Sequence, residues 1–227
     1  MTTQVVILAA GMGSRLGRTL PKPLTELSDG RTIMGQQFDN IHHAFGNNAK
    51  VTIVVGYKLE HIIEAFPQAS FVYKEQYDQT NTSKSLMRAL QASGPGGVLW
   101  MNGDVVFDPA VLNRAAAMIA RDQSFVTVNT SKVSDEEVKY TTSAEGYIKE
   151  QSTTVKGGLG EAVGINYISA ADKNTLAYAQ ALAEACRQQA AHGDAAALQK
   201  LIPTWDPEKL RPFGYLGLAL GLQEHNQ

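Results

Sequence analysis

The sequence predicts an α/β protein with a Rossmann-like, mixed and mostly parallel sheet that is flanked by helices. Short apolar runs alternate with segments of helical periodicity through the first half of the chain, which is typical of parallel strands joined by helical crossovers. The runs 5–10 and 51–55 are continuously apolar, as expected for strands buried on both faces. After Arg121 the pattern changes to short strands joined by turns, and we expect this β-rich insert to form a lid.

The individual elements follow from apolar periodicity and from the turn residues between them. Helices are predicted at about 32–45, 59–66 and 84–92, then from Pro109 onward, and at about 170–191. Strands are predicted at 5–10, 51–55, 71–73, 98–101, 125–128, 138–141, 146–149 and 162–168.

Charge and composition exclude several classes of protein. The 227 residues include 20 Lys+Arg and 22 Asp+Glu, a formal net charge of −2, so no basic surface for nucleic acid is expected. The single cysteine, Cys186, cannot form an internal disulfide. No stretch approaches the about 20 apolar residues of a membrane span, and no basic leader precedes the first strand. We therefore expect a cytoplasmic protein without a signal peptide.

A glycine-rich loop at 11–17 follows the first strand, at the position where open α/β sheets bind ligands. Its glycines let backbone N–H groups approach phosphate oxygens, and Arg15 can bind a phosphate bidentately. Leu16 occupies the third glycine position of the dinucleotide fingerprint, and no Gly-Lys-Ser/Thr follows as a P-loop requires. For the loop taken alone, a turn that binds no ligand stays open as an alternative.

Lys22 lies between Pro21 and Pro23, seven residues after Arg15. Prolines on both sides restrict the backbone and favour an extended chain. We therefore expect Lys22 to be held at a defined place after the glycine-rich loop. This bracing favours a phosphate-binding loop over a turn without a ligand.

The segments 8–15 and 21–24 together resemble the signature of nucleotidyltransferases that activate sugar phosphates and small phospho-alcohols. The resemblance continues at 55–57, at 103–104 and at 161–165, and it covers roughly residues 4–170. The segment 77–86 resembles the phosphocholine and phosphonate cytidylyltransferase branch. The resemblance implies the nucleotide-diphospho-sugar transferase type of fold. It also implies Mg²⁺-dependent transfer of CMP from CTP to a small phosphate or phosphonate acceptor, phosphocholine-like or an alkylphosphonate, with release of pyrophosphate.

The same resemblance implies roles for individual residues. The cations Arg15, Lys22 and Lys139 would be catalytic. Nucleotide binding would involve Leu8, Ala10, Gly11, Gly13, Arg15, Lys22, Asn81, Ser85 and Asp104. Lys139 and Glu161 would bind the acceptor. Asp104 would bind the metal ion, and Asp206 could replace the second metal-binding aspartate that family members usually carry near the C-terminus.

Several of these residues also have a purely structural interpretation. Asp104 follows a strand end, where it can offer Mg²⁺ a hard oxygen ligand, but it could instead cap a helix, a role for which Asp108 is better placed. Asn81 could serve as a helix cap that reads no base. Lys139 could be an exposed lysine on a strand edge.

We interpret residues 1–227 as a single domain, with a nucleotide-binding half at 1–121 and an acceptor or lid half at 122–227. The expected partners are CTP and the small acceptor, without nucleic acid or membrane. A homodimer is an option because the apolar C-terminal tail could dock either on the core or on another subunit. Two other functions stay open: a sugar-1-phosphate nucleotidyltransferase that uses UTP or dTTP, and a catalytically inactive nucleotide-binding domain, suggested by the missing acidic strand near the C-terminus.

Overall fold

The computed structural model describes residues 2–11, 20–75, 77, 82–130 and 137–174, apart from the side chains of 82–84. Of the helix predicted at 170–191, only residues 170–174 lie in these ranges, and they are helical. The chain divides into two compact units. The first contains 1–127 and 163–170, and the second contains 128–162 and the chain from 171 onward. The single-domain interpretation stays a prediction.

The described residues contain strands and helices close to the predicted positions. The strands are β1 (Thr3–Ala9), β2 (Ala49–Val55), β3 (Ser70–Tyr73), β4 (Val98–Asn102), β5 (Phe125–Asn129), β6 (Lys139–Thr142), β7 (Ile148–Ser152) and β8 (Glu161–Ile168). The helices are α1 (Ile33–Phe45), α2 (Leu59–Ala65), α3 (Thr82–Ala92) and α4 (Ala110–Ala120).

The first unit contains a mixed, mostly parallel sheet with the strand order β3-β2-β1-β4-β8. The pairs β3–β2, β2–β1 and β1–β4 are parallel, and β4–β8 is antiparallel. Because the first four of these strands run in one direction, their carboxyl ends meet at one edge of the sheet. The predicted fold class is therefore confirmed.

Both faces of this sheet are covered. On one face, Val5 and Ile7 of β1 belong to a hydrophobic core that includes Met34 of α1 and Leu112 of α4. Val6 and Leu8 of β1 point to the opposite face and are also buried. Helix α3 contacts β1, β2 and β3, and its Leu90 is buried. Burial on both faces explains why residues 5–9 of β1 are all apolar.

In the second unit, β6 pairs with β7 in an antiparallel hairpin, and Lys139 of β6 pairs with Glu161 at the start of β8. The prediction of a strand at 146–149 is wrong at its start. Gly146 has a positive φ of 86°, and the amide of Ser143 donates to the carbonyl of Tyr147 at 2.8 Å. These residues therefore form the hairpin turn, for which a glycine with positive φ is suited. The lid role of this region stays a prediction.

Among the described helices, none combines the length and the apolar character that a membrane crossing requires.

The N-terminus of α1 gives a direct test of local stability. Thr32 Oγ1 accepts a hydrogen bond from the amide of Gly35 at 3.0 Å. We expect Thr32→Ala to lower the free energy of unfolding by about 1 kcal/mol, because an amide of the first turn loses its acceptor. Thr32→Ser retains a hydroxyl and should lose much less. Urea unfolding of both variants checks this, and an equal loss in both would contradict the capping role.

Candidate functional site

The loops that follow β1, β2 and β4 meet at the carboxyl edge of the sheet in the first unit. The amide of Gly103 donates to the carbonyl of Leu8 at 2.9 Å, and the amide of Tyr57 donates to the carbonyl of Ala10 at 3.3 Å. A Cβ atom on Gly56 would lie 2.8 Å from the Ala10 carbonyl oxygen, and one on Gly103 would lie 3.0 Å from that of Leu8. A side chain at Gly56 would therefore force the backbones apart, and one at Gly103 would require a shift of a few tenths of an ångström.

Lys22 and Asp104 meet at this edge. Their side chains form an ion pair with 2.6 Å between Lys22 Nζ and Asp104 Oδ2, and the two side chains are 43 % and 38 % exposed. The two residues are 82 positions apart in the sequence. The structure thus brings together two of the residues for which the sequence predicts roles in binding a triphosphate and a metal ion, and both stay accessible to solvent.

Lys22 is held by a 3-10 turn at Lys22–Leu24. The amide of Leu24 donates to the carbonyl of Pro21 at 2.9 Å, and the amide of Thr25 donates to that of Lys22 at 3.0 Å. The expectation of an extended chain at Lys22 is therefore wrong. A proline is tolerated in this turn because the first residues of a helix need no N–H donor. Pro23 is buried, which anchors the turn that carries Lys22.

Asp104 lies in the turn after β4, two residues beyond Asn102, and does not cap the next helix. The carboxylate of Asp108 performs that role, because its Oδ1 accepts from the amide of Ala110 at 2.7 Å. This agrees with the prediction that Asp108 is the structural acid of the segment. The Asp104 carboxylate instead contacts Lys22, which leaves the ligand-binding interpretation of Asp104 in place.

Ser85 lies on α3, is 4 % exposed, and accepts a hydrogen bond from Lys74 Nζ at 2.8 Å. Lys74 directly follows β3, is 3 % exposed, and its amide donates to the carbonyl of Val55 at 2.9 Å. Reasoning from the sequence missed Lys74, although a lysine immediately after an apolar strand was a signal that could have found it. The predicted contact of Ser85 with the base or the ribose of the nucleotide stays a prediction.

The predicted acceptor residues Lys139 and Glu161 are direct neighbours on paired strands of the second unit. Lys139 Nζ donates to the carbonyl of Thr153 at 3.4 Å. Partial burial, together with the negative charge of Glu137, raises the pKa of Glu161 above its ordinary value. The register thus places a lysine and a glutamate at paired positions of neighbouring strands.

Four predicted residues lie outside the described part of the chain: Gly13, Arg15, Asn81 and Asp206. Their roles stay predictions. Within the described ranges, no group of three or more His, Cys, Asp or Glu side chains is arranged to hold a metal ion. Gly11 is described, and a Cβ atom there would meet nothing within 4 Å.

The fold and this edge define the class: an open α/β protein with a cation and a carboxylate at the carboxyl ends of parallel strands, where such sheets bind ligands. Residues 5–206 match the model of the MobA-like NTP transferase domain, and the chain belongs to this family.

Individual similar proteins act on different substrates. The CMP-5'-(3-aminopropyl)phosphonate synthase of Streptomyces rubellomurinus is 37 % identical over 123 residues, which is 50 % of this chain but only 19 % of that protein. The structure of the CTP:phosphocholine cytidylyltransferase LicC from Streptococcus pneumoniae matches with a TM-score of 0.60 at 18 % identity, over 78 % of this chain and 75 % of that one. A UDP-glucose pyrophosphorylase bound to UDP-glucose matches with a TM-score of 0.56 at 16 % identity, over 78 % and 80 %. The two structures show a shared fold.

The ion pair makes a prediction about stability. Because both side chains are about two-fifths exposed, the pair contributes roughly 0–1 kcal/mol to the free energy of unfolding. We expect Lys22→Met, Asp104→Asn and the double variant to unfold in urea within about 1 kcal/mol of the wild type. A coupling energy well above this value in the double-mutant cycle would assign the pair a structural role instead.

The raised pKa of Glu161 predicts a pH dependence of stability. The folded chain binds the proton of the Glu161 carboxyl more tightly than the unfolded chain does. The contribution of this proton to the free energy of unfolding is therefore complete below the ordinary pKa and is lost as the pH rises through the raised pKa. Glu161→Gln removes this loss and should raise the midpoint of thermal unfolding at neutral pH, with little effect near pH 4, at roughly the ordinary pKa of a glutamate.

Glu64→Gln is the matched control, because it removes the same charge from an exposed position on α2. The same pH-dependent rise of the midpoint of thermal unfolding in both variants would show that net charge, and not the surroundings of Glu161, causes the rise.

Proposed function

We propose that this chain is a cytidylyltransferase that joins CMP from CTP to a small phosphate or phosphonate acceptor and releases pyrophosphate. The observation that carries the proposal is the meeting of Lys22 and Asp104 at the ligand-binding edge of the sheet in a member of the NTP transferase family. The choice of CTP is supported by the similarity to a synthase of a CMP-linked aminopropylphosphonate.

The chemistry needs little from the protein beyond positioning and positive charge. The acceptor oxygen is already anionic near neutral pH, so it can attack the α-phosphorus of CTP without a protein nucleophile or a strong base. The barrier is lowered by holding the two reactants in line and by neutralising charge on the phosphates. Lys22 would stabilise the charge that develops at the α-phosphate, and Arg15 would hold the β- and γ-phosphates.

A magnesium ion fits the residues at this edge. Mg²⁺ is usually bound by one or two carboxylates together with phosphate oxygens and water, and Asp104 offers one accessible carboxylate. When bound, the metal ion neutralises triphosphate charge. Asp104 would hold it, with Asp206 as the proposed second ligand.

The ion pair between Lys22 and Asp104 has a consequence for binding. Lys22 and Asp104 neutralise each other at 2.6 Å, so each must exchange its partner when the nucleotide enters. Opening an exposed pair costs roughly 0–1 kcal/mol, whereas a hydrogen bond to a charged group contributes about 1.5–3 kcal/mol. The exchange is therefore favourable, and the pair keeps the cation near its working position before the ligand arrives.

Lys139 and Glu161 would bind the acceptor. Neighbouring opposite charges suit a small zwitterion, in which the lysine binds the phosphonate or phosphate group and the glutamate binds an amine. An aminoalkylphosphonate has both groups, and the similarity to the synthase of a CMP-linked aminopropylphosphonate supports this class of acceptor. Gly13, Asn81 and Ser85 complete the proposed nucleotide contacts, together with the backbone of Leu8, Ala10 and Gly11.

A sugar-1-phosphate nucleotidyltransferase that uses UTP or dTTP is the second candidate. The structural similarity to a UDP-glucose pyrophosphorylase favours it, because the same fold there binds a uridine nucleotide sugar. This candidate keeps the roles of Lys22 and Asp104 and changes the base and the acceptor.

Pyrophosphate release measured with each of CTP, UTP, dTTP and ATP tests the donor, with 2-aminoethylphosphonate, phosphocholine and glucose 1-phosphate as acceptors. We expect release with CTP and a phosphonate or phosphocholine. We also expect Lys22→Ala to lower the rate by about 10²–10³-fold, by analogy with the loss of one preorganised charge-stabilising donor.

Lys50→Ala is the control for that variant. Lys50 is an exposed lysine at the start of β2, so its replacement should leave the rate unchanged. Release with UTP or dTTP and the sugar phosphate would establish the second candidate. No release with any donor, or near-normal turnover by Lys22→Ala, would contradict the proposed mechanism.

A further inference from the structure

Helix α1 holds the turn that carries Asp104. Both N–H groups of the Gln37 side-chain amide are used on this turn, because Nε2 donates to the carbonyl of Asn102 at 2.9 Å and to that of Val105 at 2.8 Å. Asp104 lies between these two carbonyls in the sequence, so the backbone is tied on both sides of it. Gln37 has no solvent-exposed surface, and water therefore does not compete for these hydrogen bonds.

Two further amides of α1 bind the same segment. Asn40 Nδ2 donates to the carbonyl of Phe107 at 2.8 Å, and Gln36 Oε1 accepts from the amide of Phe107 at 3.4 Å. Asn40 is 4 % exposed. Positions 36, 37 and 40 lie on neighbouring parts of one helix surface, since residues three and four apart are adjacent on a helix. One rigid helix thus binds the backbone at both ends of the segment 102–107.

The same helix is also bound to the segment that carries Lys22. The amide of Ile33 at the start of α1 donates to the carbonyl of Thr25 at 3.0 Å, and α1 contacts the 3-10 turn at Lys22–Leu24. A Cβ atom on Gly103 would lie 3.1 Å from Cγ of Pro23, so the two segments also pack closely on each other. Both charged residues of the site therefore depend on α1 for their position.

Filling the core does not explain Gln37. Its Oε1 is buried and has no hydrogen-bond partner in the described structure, which is unfavourable in free energy. A leucine or methionine would fill similar space without that cost. The amide also cannot be reversed, because its oxygen would then face two carbonyl oxygens. What a leucine or methionine cannot do is bind the carbonyls on both sides of Asp104.

We infer that Gln37 is a positioning residue that directs the Asp104 carboxylate toward the metal ion and triphosphate. This inference rests on the proposed function. Residues behind a metal ligand fix the orientation of that ligand, and their loss lowers metal affinity by roughly 10–100-fold. Gln37 acts on Asp104 through the backbone of the turn.

Gln37→Met removes both donors at nearly the same side-chain length, and calorimetric binding of CTP with and without Mg²⁺ measures the effect. We expect the affinity with Mg²⁺ to fall by about tenfold or more and the affinity without Mg²⁺ to stay within about twofold. Hydrogen exchange at the amides of 103–107 should become faster in the same variant.

Ile41→Ala is the control, because Ile41 is buried at 2 % exposure on the same helix and donates no side-chain hydrogen bond. It should lower the thermal midpoint and leave the ratio of the two affinities as in the wild type. If Gln37→Met does not fold, Asn40→Leu removes the contact with Phe107 and should move the ratio in the same direction.

The outcomes distinguish a failure of the positioning role from a failure of the proposed function. The positioning role alone would be overturned if Gln37→Met kept the wild-type ratio of the CTP affinities with and without Mg²⁺. It would also be overturned if Ile41→Ala changed this ratio as much as Gln37→Met does. A wild-type ratio in Asn40→Leu, when it is the variant that folds, would do the same. A wild-type chain that binds no CTP with Mg²⁺ would overturn the proposed function and this inference with it.

Discussion

Parallel pairing of β1 with β4 determines where the chemistry-bearing residues of this protein lie. The register places Leu8 beside Asn102, and the hydrogen bond from the Gly103 amide to the Leu8 carbonyl extends the pairing one step past the end of β4. Because the strands are parallel, the chain leaves both of them at the same edge. The backbone pairing alone therefore brings Gly11, where the glycine-rich loop starts, and Asp104 to the same edge of the sheet. No specific side-chain contact is needed for this.

Helix α1 fixes the positions of the two segments that carry Lys22 and Asp104 at this edge. Its first residues bind the segment after Lys22, and its buried amides bind the segment around Asp104. The charged ends of Lys22 and Asp104 stay partly in water, so their ion pair is inexpensive to open, whereas the backbone segments behind them are held by buried hydrogen bonds. A site for a charged ligand requires charged side chains that can change partners on a backbone that is held in place.

Much of this arrangement follows from the sequence. The run 5–10 predicts a strand buried on both faces, and the resemblance assigns Lys22 and Asp104 to one site for a nucleotide and its metal ion, where the structure brings the two side chains together. The 3-10 turn at Lys22 was missed because flanking prolines restrict dihedral angles without specifying which hydrogen bonds close. Gln37 could have been noticed, since it stands between Ile33 and Ile41 at four-residue spacing on a buried helix surface, but its acceptors depend on tertiary packing. For the base and the acceptor, the sequence offers only the resemblance of the segment 77–86, because a site for a small molecule is built from side chains that come together in the fold from separate segments.

The most direct test of the account is a structure of the chain crystallised with CTP and Mg²⁺. We expect a metal ion bound to the Asp104 carboxylate and to triphosphate oxygens. We also expect Lys22 Nζ to move from Asp104 to within about 3 Å of a phosphate oxygen. A nucleotide bound elsewhere, with the ion pair between Lys22 and Asp104 still closed, would contradict it.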